Sequence, residues 1–133
     1  MLFGQDTAMI YGVTLVEGGS CKIKIVVGAA LAHEMMHAWI RLHGWTFTLE
    51  KSVEESICDV VASMWLDYTA DENDPSYTEN NARFAKSLSR HLKNSIETGS
   101  SGGEEFLKAK HAVEKYGLED TLMLVVITRS IPE

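Results

Sequence analysis

The chain has 133 residues, 45 % of them hydrophobic and 23 % charged, which are the proportions of a single globular domain. Its formal net charge of −7 is spread along the chain and offers no basic stripe, which argues against nucleic-acid binding. The longest apolar run, IVVGAALA, is too short to span a membrane and the first residues do not resemble a signal peptide, so we expect an intracellular protein of the cytoplasm or nucleus.

The N-terminal part of the sequence favours β-structure. Residues 8–16 are rich in β-forming side chains, EGGS (17–20) supplies a turn, and CKIKIVV (21–27) alternates lysine with apolar residues. Alternation with period two is typical of a strand with one solvated face. These patterns predict a β-hairpin.

Helical patterns dominate the rest of the chain. Residues 29–43 and about 52–68 are predicted to form two helices, because their apolar residues fall on one broad face. Thr78 is the expected N-cap of a third helix, and Gly117 ends a fourth. The last segment, LEDTLMLVVI, is predicted to be a fifth helix because its first turn is acidic.

A hairpin followed by helices predicts an α+β fold. We expect a zincin-like arrangement of an N-terminal β-hairpin and four to five helices, with the helix of residues 29–43 at the centre. The length predicts one domain over residues 1–133.

Residues 33–37 read HEMMH, the HExxH pattern of zinc hydrolases. Because residues four apart share a face of a helix, His33 and His37 can present two imidazoles to one ion. Glu34 then faces a water held by that ion, where it can act as a general base. The motif therefore predicts a Zn²⁺ site with two ligands and a catalytic glutamate.

A zinc site needs a third protein ligand, and His43 is the first candidate because it lies ten residues after His33. In the pattern HExxHxxGxxH a glycine breaks the helix and returns the last histidine to the metal. Ile40 takes the place of that glycine here, and a β-branched residue disfavours positive φ. On a continuous helix His43 lies about 240° round and about 9 Å along from His37, so it is disfavoured as a ligand.

The segment VEESICD supplies the alternative ligands. Glu55 with Asp59 one turn later matches the gluzincin arrangement, in which the second acid accepts the outer N–H of a ligand histidine. Glu55 also completes an S-x-x-E capping box with Ser52, which would be a purely local role. Glu54 competes as the ligand because it lies nearer the middle of the apolar face, where an unpaired carboxylate is costly. We favour Glu55 as the third ligand and Asp59 as its outer partner.

Three blocks of the sequence resemble a known family: LAHEMMHAWIRLHGW, VEESICDVVASMWL and the stretch from FAKSLSRHL to GLEDTL. They are similar to the C-terminal peptidase region of the plant "DA-one" family, whose LIM-domain-bearing, ubiquitin-activated peptidases limit organ growth. The similarity covers nearly the whole chain, and the extended blocks are far more specific than HExxH alone.

The resemblance implies a zinc endopeptidase that cuts growth regulators and ubiquitin-pathway proteins such as ubiquitin ligases and deubiquitinases. Carried over by position, His33 and His37 hold zinc, Glu34 is the base, and Glu55 takes the place of the second glutamate of the family's EEGIC block. Ser56 replaces the glycine of that block. The family's ubiquitin-interacting motifs and LIM module are not in this sequence, so ubiquitin stays a partner that the family implies and these residues do not, and activation by ubiquitination is not assumed.

Two functions therefore compete. One is peptide-bond hydrolysis with Zn²⁺ as the cofactor and proteins as substrates. The other is a catalytically silent protein-interaction module on the same fold. An intact HExxH motif together with Glu55 favours the enzyme, because a purely structural metal site has no use for Glu34.

Overall fold

The computed structural model describes residues 20–43, 49–71, 75, 77–99 and 103–133, and these residues form five helices. Helix α1 is Ser20–His43, α2 is Lys51–Asp71, α3 is Glu79–Gly99, α4 is Gly103–Tyr116 and α5 is Leu118–Thr128. None of the described residues is in a β-strand. Helix α2 is central, since it packs against α1, α3 and α4.

The predicted α+β, zincin-like fold is wrong. Residues 21–27, expected as the second strand of the hairpin, belong to the start of α1. Ile25, Val26 and Ala29 are at most 4 % exposed, and their spacing continues the helical stripe that packs into the core. Burial of this stripe outweighs the strand preference of β-branched side chains. The first predicted strand, residues 8–16, lies outside the described part of the chain.

Helix α1 packs on α2 through one apolar stripe from each helix. The buried residues of α1 recur at intervals of three and four, as a helix that covers a core requires: Ile25, Ala29, His33, Met36 and Ile40. Helix α2 is buried over a wider surface, because it also packs against α3 and α4; its buried residues include Val53, Ile57, Val60, Ser63 and Leu66. Each fully buried aliphatic side chain contributes about 1.5–3 kcal/mol. This packing fixes the rotation of both helices and carries His33 into the interface.

A close approach between Gly28 and Trp65 sets the distance between α1 and α2. A Cβ placed on Gly28 would overlap the indole of Trp65, 2.6 Å from Cζ2 and closer still to Cε2 and Nε1. Only hydrogen on Gly28 leaves room for the ring, so the glycine is required by packing rather than by its backbone angles.

The remaining helices follow the sequence-based expectations. The backbone N–H of Asn81 donates to Thr78 Oγ1 at 3.1 Å, which confirms Thr78 as the N-cap of α3. Gly117 has φ of 86° and its N–H donates to the carbonyl of Val113 at 2.8 Å, so it ends α4 as expected. The predicted fifth helix is confirmed as α5.

Helix α1 is long and apolar enough, over Ile23–His43, to cross a membrane by length and composition alone, with a mean hydropathy of 1.2. The core helix of a soluble protein passes the same test. Because α1 packs against α2 and α3 with a continuous buried stripe, this property is weak evidence for a membrane span.

Candidate metal centre

The site lies where α1 faces α2. His33 and His37 stand one turn apart on α1 and point to the same side, with ring centroids 4.9 Å apart. Helix α2 places three carboxylates opposite them: Glu54, Glu55 and Asp59. The burial of His33 follows from its position in the apolar stripe of α1, where it is 4 % exposed.

The Nε2 atoms of both histidines converge with the carboxylate of Glu55. Nε2 of His33 is 3.2 Å from Nε2 of His37 and 3.3 Å from Oε2 of Glu55. Nε2 of His37 is 3.1 Å from Oε1 of Glu55. The side chain of Glu55 is 40 % exposed, whereas those of the two histidines are largely buried, so the group is open to solvent on the Glu55 side.

These separations fit a zinc ion. In a tetrahedral site with bonds of about 2.0–2.2 Å to nitrogen and oxygen, the donor atoms lie about 3.3–3.5 Å apart. The chemistry also fits, because imidazole and carboxylate are common zinc ligands. Two imidazole lone pairs that face each other at 3.2 Å need a proton or a cation between them. His33, His37 and Glu55 can therefore hold the metal that the HExxH pattern implies.

The outer nitrogen of each histidine faces another carboxylate. Nδ1 of His33 is 3.1 Å from Oδ1 of Asp59, whose side chain is 7 % exposed. Neither of these two atoms makes an aligned hydrogen bond within the described residues, so the contact between His33 and Asp59 is electrostatic. Nδ1 of His37 donates to Oε2 of Glu54 at 2.6 Å. Each histidine thus has a carboxylate next to its Nδ1 atom, hydrogen-bonded only in His37, and its Nε2 atom directed at the common point.

Glu54 and Glu55 therefore have different positions relative to the histidines. Sequence reasoning weighed both as the third ligand, with Glu55 favoured. In the structure Glu55 joins the Nε2 group, while Glu54 contacts the opposite edge of His37. The position of Glu54 on the apolar face of α2 predicts a buried partner for its carboxylate. That partner is Nδ1 of His37 and not the Nε2 group.

Glu34 follows His33 on α1 and is exposed. Its carboxylate is near enough to His33 to act on it electrostatically, and among the described residues it makes no hydrogen bond or ion pair. His43 lies apart from the site. Its ring stacks on Trp39 with centroids 4.1 Å apart, and its Nδ1 donates to the Trp39 carbonyl at 3.0 Å.

Cys58 is a neighbour of the site that sequence reasoning did not include. Its Sγ belongs, with ring nitrogens of His33 and His37, to a group of possible ligand atoms within 4.8 Å of one another. Cys58 is fully buried and free. Burial, and then the surrounding carboxylates, raise the pKa of the thiol well above its usual range, so without a metal it stays protonated. Glu55 is the better placed anionic donor.

The protonation of His33 reflects its surroundings. Burial alone lowers the pKa of His33, but Asp59, Glu55 and Glu34 together outweigh it, and the pKa is raised from 6.5. The carboxylates around His33 thus favour its protonated form more than water does.

The described part of the chain is a bundle of helices with a two-histidine, one-carboxylate group that can hold a metal ion. The chain belongs to the DA1-like family, whose model, described as Protein DA1, matches residues 22–128. This confirms the family resemblance seen in the sequence.

The chain is similar to several plant proteins. It is 36 % identical over 124 residues to "Protein DA1" of Arabidopsis thaliana and 35 % identical over 127 residues to "Protein DA1-related 1" of the same species. It is 29 % identical over 132 residues to "LIM domain-containing protein HDR3" of Oryza sativa subsp. japonica.

The alignments cover 82 % of this chain but only 23 %, 23 % and 26 % of those three relatives. The chain therefore spans about a quarter of the length of the curated relatives it matches. No solved structure matches the chain.

Proposed function

We propose that this chain is a zinc-dependent endopeptidase domain that cleaves intracellular proteins. The observation that carries the proposal is the convergence of His33, His37 and the Glu55 carboxylate at 3.1–3.3 Å, with Glu34 exposed beside them. Membership of the DA1-like family supports it, because the resemblance implies a peptidase.

The residues take separate roles in hydrolysis. His33, His37 and Glu55 would hold the zinc ion. When bound, zinc supplies Lewis-acid chemistry, since it polarises a carbonyl group and makes water more acidic. Glu34 accepts the proton of the attacking water and then delivers it to the leaving amine as the peptide bond breaks. The exposure of Glu34 leaves its carboxylate accessible to water and to an incoming peptide.

The substrate class comes from the family resemblance. We propose growth regulators and components of the ubiquitin pathway as substrates, in the cytoplasm or nucleus. Ubiquitin is not proposed as a partner of these residues, because the motifs that the resemblance assigns to its binding are not among them. The alternative, a catalytically silent interaction module, would retain the helices without needing a complete donor set or Glu34.

Glu34→Gln tests the proposal because it keeps the size of the side chain and removes its basicity. We expect wild type and variant to contain about one zinc per chain by elemental mass spectrometry. Cleavage of a denatured protein substrate, followed by mass spectrometry of the fragments, should fall by about 10²–10⁴-fold in the variant. Glu55→Ala should lose the zinc.

Glu114→Gln is the matched control, since Glu114 is an exposed glutamate of α4, a helix that contributes no residue to the site. It should match wild type in zinc content and in cleavage. If wild type binds zinc but cleaves none of the proposed substrates, the peptidase proposal fails and the interaction module is favoured. If Glu34→Gln cleaves as fast as wild type, Glu34 is not the base.

A further inference from the structure

The strongest polar contact of the site joins two residues whose partnership the HExxH pattern does not predict. Nδ1 of His37 and Oε2 of Glu54 are 2.6 Å apart, a short distance typical of a charge-assisted hydrogen bond. The side chains of His37 and Glu54 are 13 % and 18 % exposed, so water screens the contact only in part. A carboxylate can only accept, so the proton of this bond is on Nδ1 of His37.

That bond determines which nitrogen of His37 is free. With the proton on Nδ1, the lone pair of the neutral ring is on Nε2, the atom that lies 3.2 Å from Nε2 of His33 and 3.1 Å from Glu55. If the proton moved to Nε2, it would point into the donor group and block it. Glu54 therefore selects the form of His37 that can bind a metal.

Glu54 could instead serve only its own helix. It stands in the first turn of α2, where an acid stabilises the helix through the positive end of the helix dipole. That role needs a negative charge near the helix start but no particular partner. The 2.6 Å contact to His37 goes beyond it and makes the two roles separable by experiment.

We propose that Glu54 is a positioning residue that fixes the tautomer and the orientation of His37 for metal binding. The assignment rests on the metal site of the proposed function but not on proteolysis. Glu54 acts through His37 and does not contact the metal or the substrate. Asp59 has the corresponding place beside His33, at a longer distance and without an aligned hydrogen bond.

The test compares Glu54→Ala with Glu54→Gln. The dissociation constant for zinc is measured by competition with a chromogenic chelator, and we expect about 10–100-fold weaker binding for Glu54→Ala. Glu54→Gln should lose less, because its amide oxygen still accepts from Nδ1. Long-range ¹H–¹⁵N NMR of the metal-free protein at alkaline pH should show His37 protonated at Nδ1 in wild type and shifted toward Nε2 in Glu54→Ala.

Glu50→Gln is the matched control, because Glu50 is an exposed acid just before α2 and its side chain makes no hydrogen bond or ion pair with the described residues. It should leave zinc affinity and the His37 tautomer unchanged. Zinc affinity within twofold of wild type in Glu54→Ala, an equal loss in Glu50→Gln, or a His37 tautomer that persists without Glu54 would each overturn the proposal. A wild type that binds zinc but does not cleave overturns only the proposed function.

Discussion

Each histidine of the site lies between two carboxylates of α2. Nε2 of both rings faces Glu55, while Nδ1 faces Asp59 in His33 and Glu54 in His37. Carboxylates at Nδ1 make Nε2 a stronger donor to a metal. For His33 the surrounding carboxylates also raise the pKa of the ring, so protons and metal ions compete for this histidine.

The metal-free protein should therefore lose stability as the pH rises. The pKa of His33 is raised from 6.5 in the folded state, so the histidine contributes stability that is fully present below about pH 6.5. That contribution disappears as the pH rises through the higher folded pKa. We expect the free energy of unfolding in urea, measured with chelator, to favour wild type over His33→Gln more at about pH 6 than at about pH 8.5.

His111→Gln, a change of an exposed histidine on α4, should keep the pH dependence of wild type. A difference between wild type and His33→Gln that grows with rising pH would contradict the assignment, since it would mean that the fold favours neutral His33.

At the level of residues, sequence patterns explain which side chains meet in the site, but they do not determine which glutamate of α2 faces which nitrogen. HExxH defines His33 and His37 through helix geometry alone, and VEESICD contains all three carboxylates of α2. Whether Glu54 or Glu55 meets Nε2 depends on the rotation of α2 about its axis. Adjacent residues differ by about 100° around a helix, and only the packing of the α1 and α2 stripes fixes that angle.

Among the helices, the pair α1 and α2 depends on Gly28. Gly28→Ala would place a methyl group against the indole of Trp65 and force the helices apart. We expect a loss of about 1–3 kcal/mol in the free energy of unfolding, as for other over-packed cores, measured by urea denaturation. Zinc binding should weaken as well, since α1 and α2 each supply residues of the proposed metal site.

Gly103→Ala is the matched control for this change. No atom lies within 4 Å of a Cβ built on Gly103, which begins α4 without a positive φ. Its stability should be unchanged or raised by about 0.4–1 kcal/mol. An equal loss in both variants would show that the Gly28 effect is not steric.

The error at the start of α1 shows where local patterns fail. The residues of CKIKIVV suit a strand by propensity, and two lysines among apolar residues also suit a helix with one solvated side. A segment of seven residues is too short to distinguish the period of two residues of a strand from the 3.6-residue period of a helix. Tertiary packing determines the outcome, because Ile25, Val26 and Ala29 are buried. They continue the buried face that Met36 and Ile40 form further along the helix. The helices after residue 50 carried clearer signals: a long helical apolar spacing over about 52–68, the N-cap Thr78, the terminating Gly117 and the acidic first turn of LEDTLMLVVI.

For the molecule as a whole, the site lies on the central pair of helices. Helices α1 and α2 supply every member of the site, and α2 also packs against α3 and α4. A ligand that binds both α1 and α2 restrains the centre of the bundle. Without a cation, three carboxylates of α2 converge on the histidines in a protein whose net charge is already −7.

Zinc should therefore stabilise the entire fold. A ligand that binds only the folded state at 100 times its dissociation constant adds about 2.7 kcal/mol. For a chain of this size that raises the melting temperature by roughly 10 °C. We expect this rise when the chelator-treated protein receives zinc, measured by circular dichroism, and the same rise in Glu34→Gln, because Glu34 is not a ligand. Magnesium should have little effect, since it prefers oxygen donors. A rise with magnesium as large as that with zinc would indicate an unspecific charge effect, and the same rise in Glu55→Ala would exclude Glu55 from the metal site.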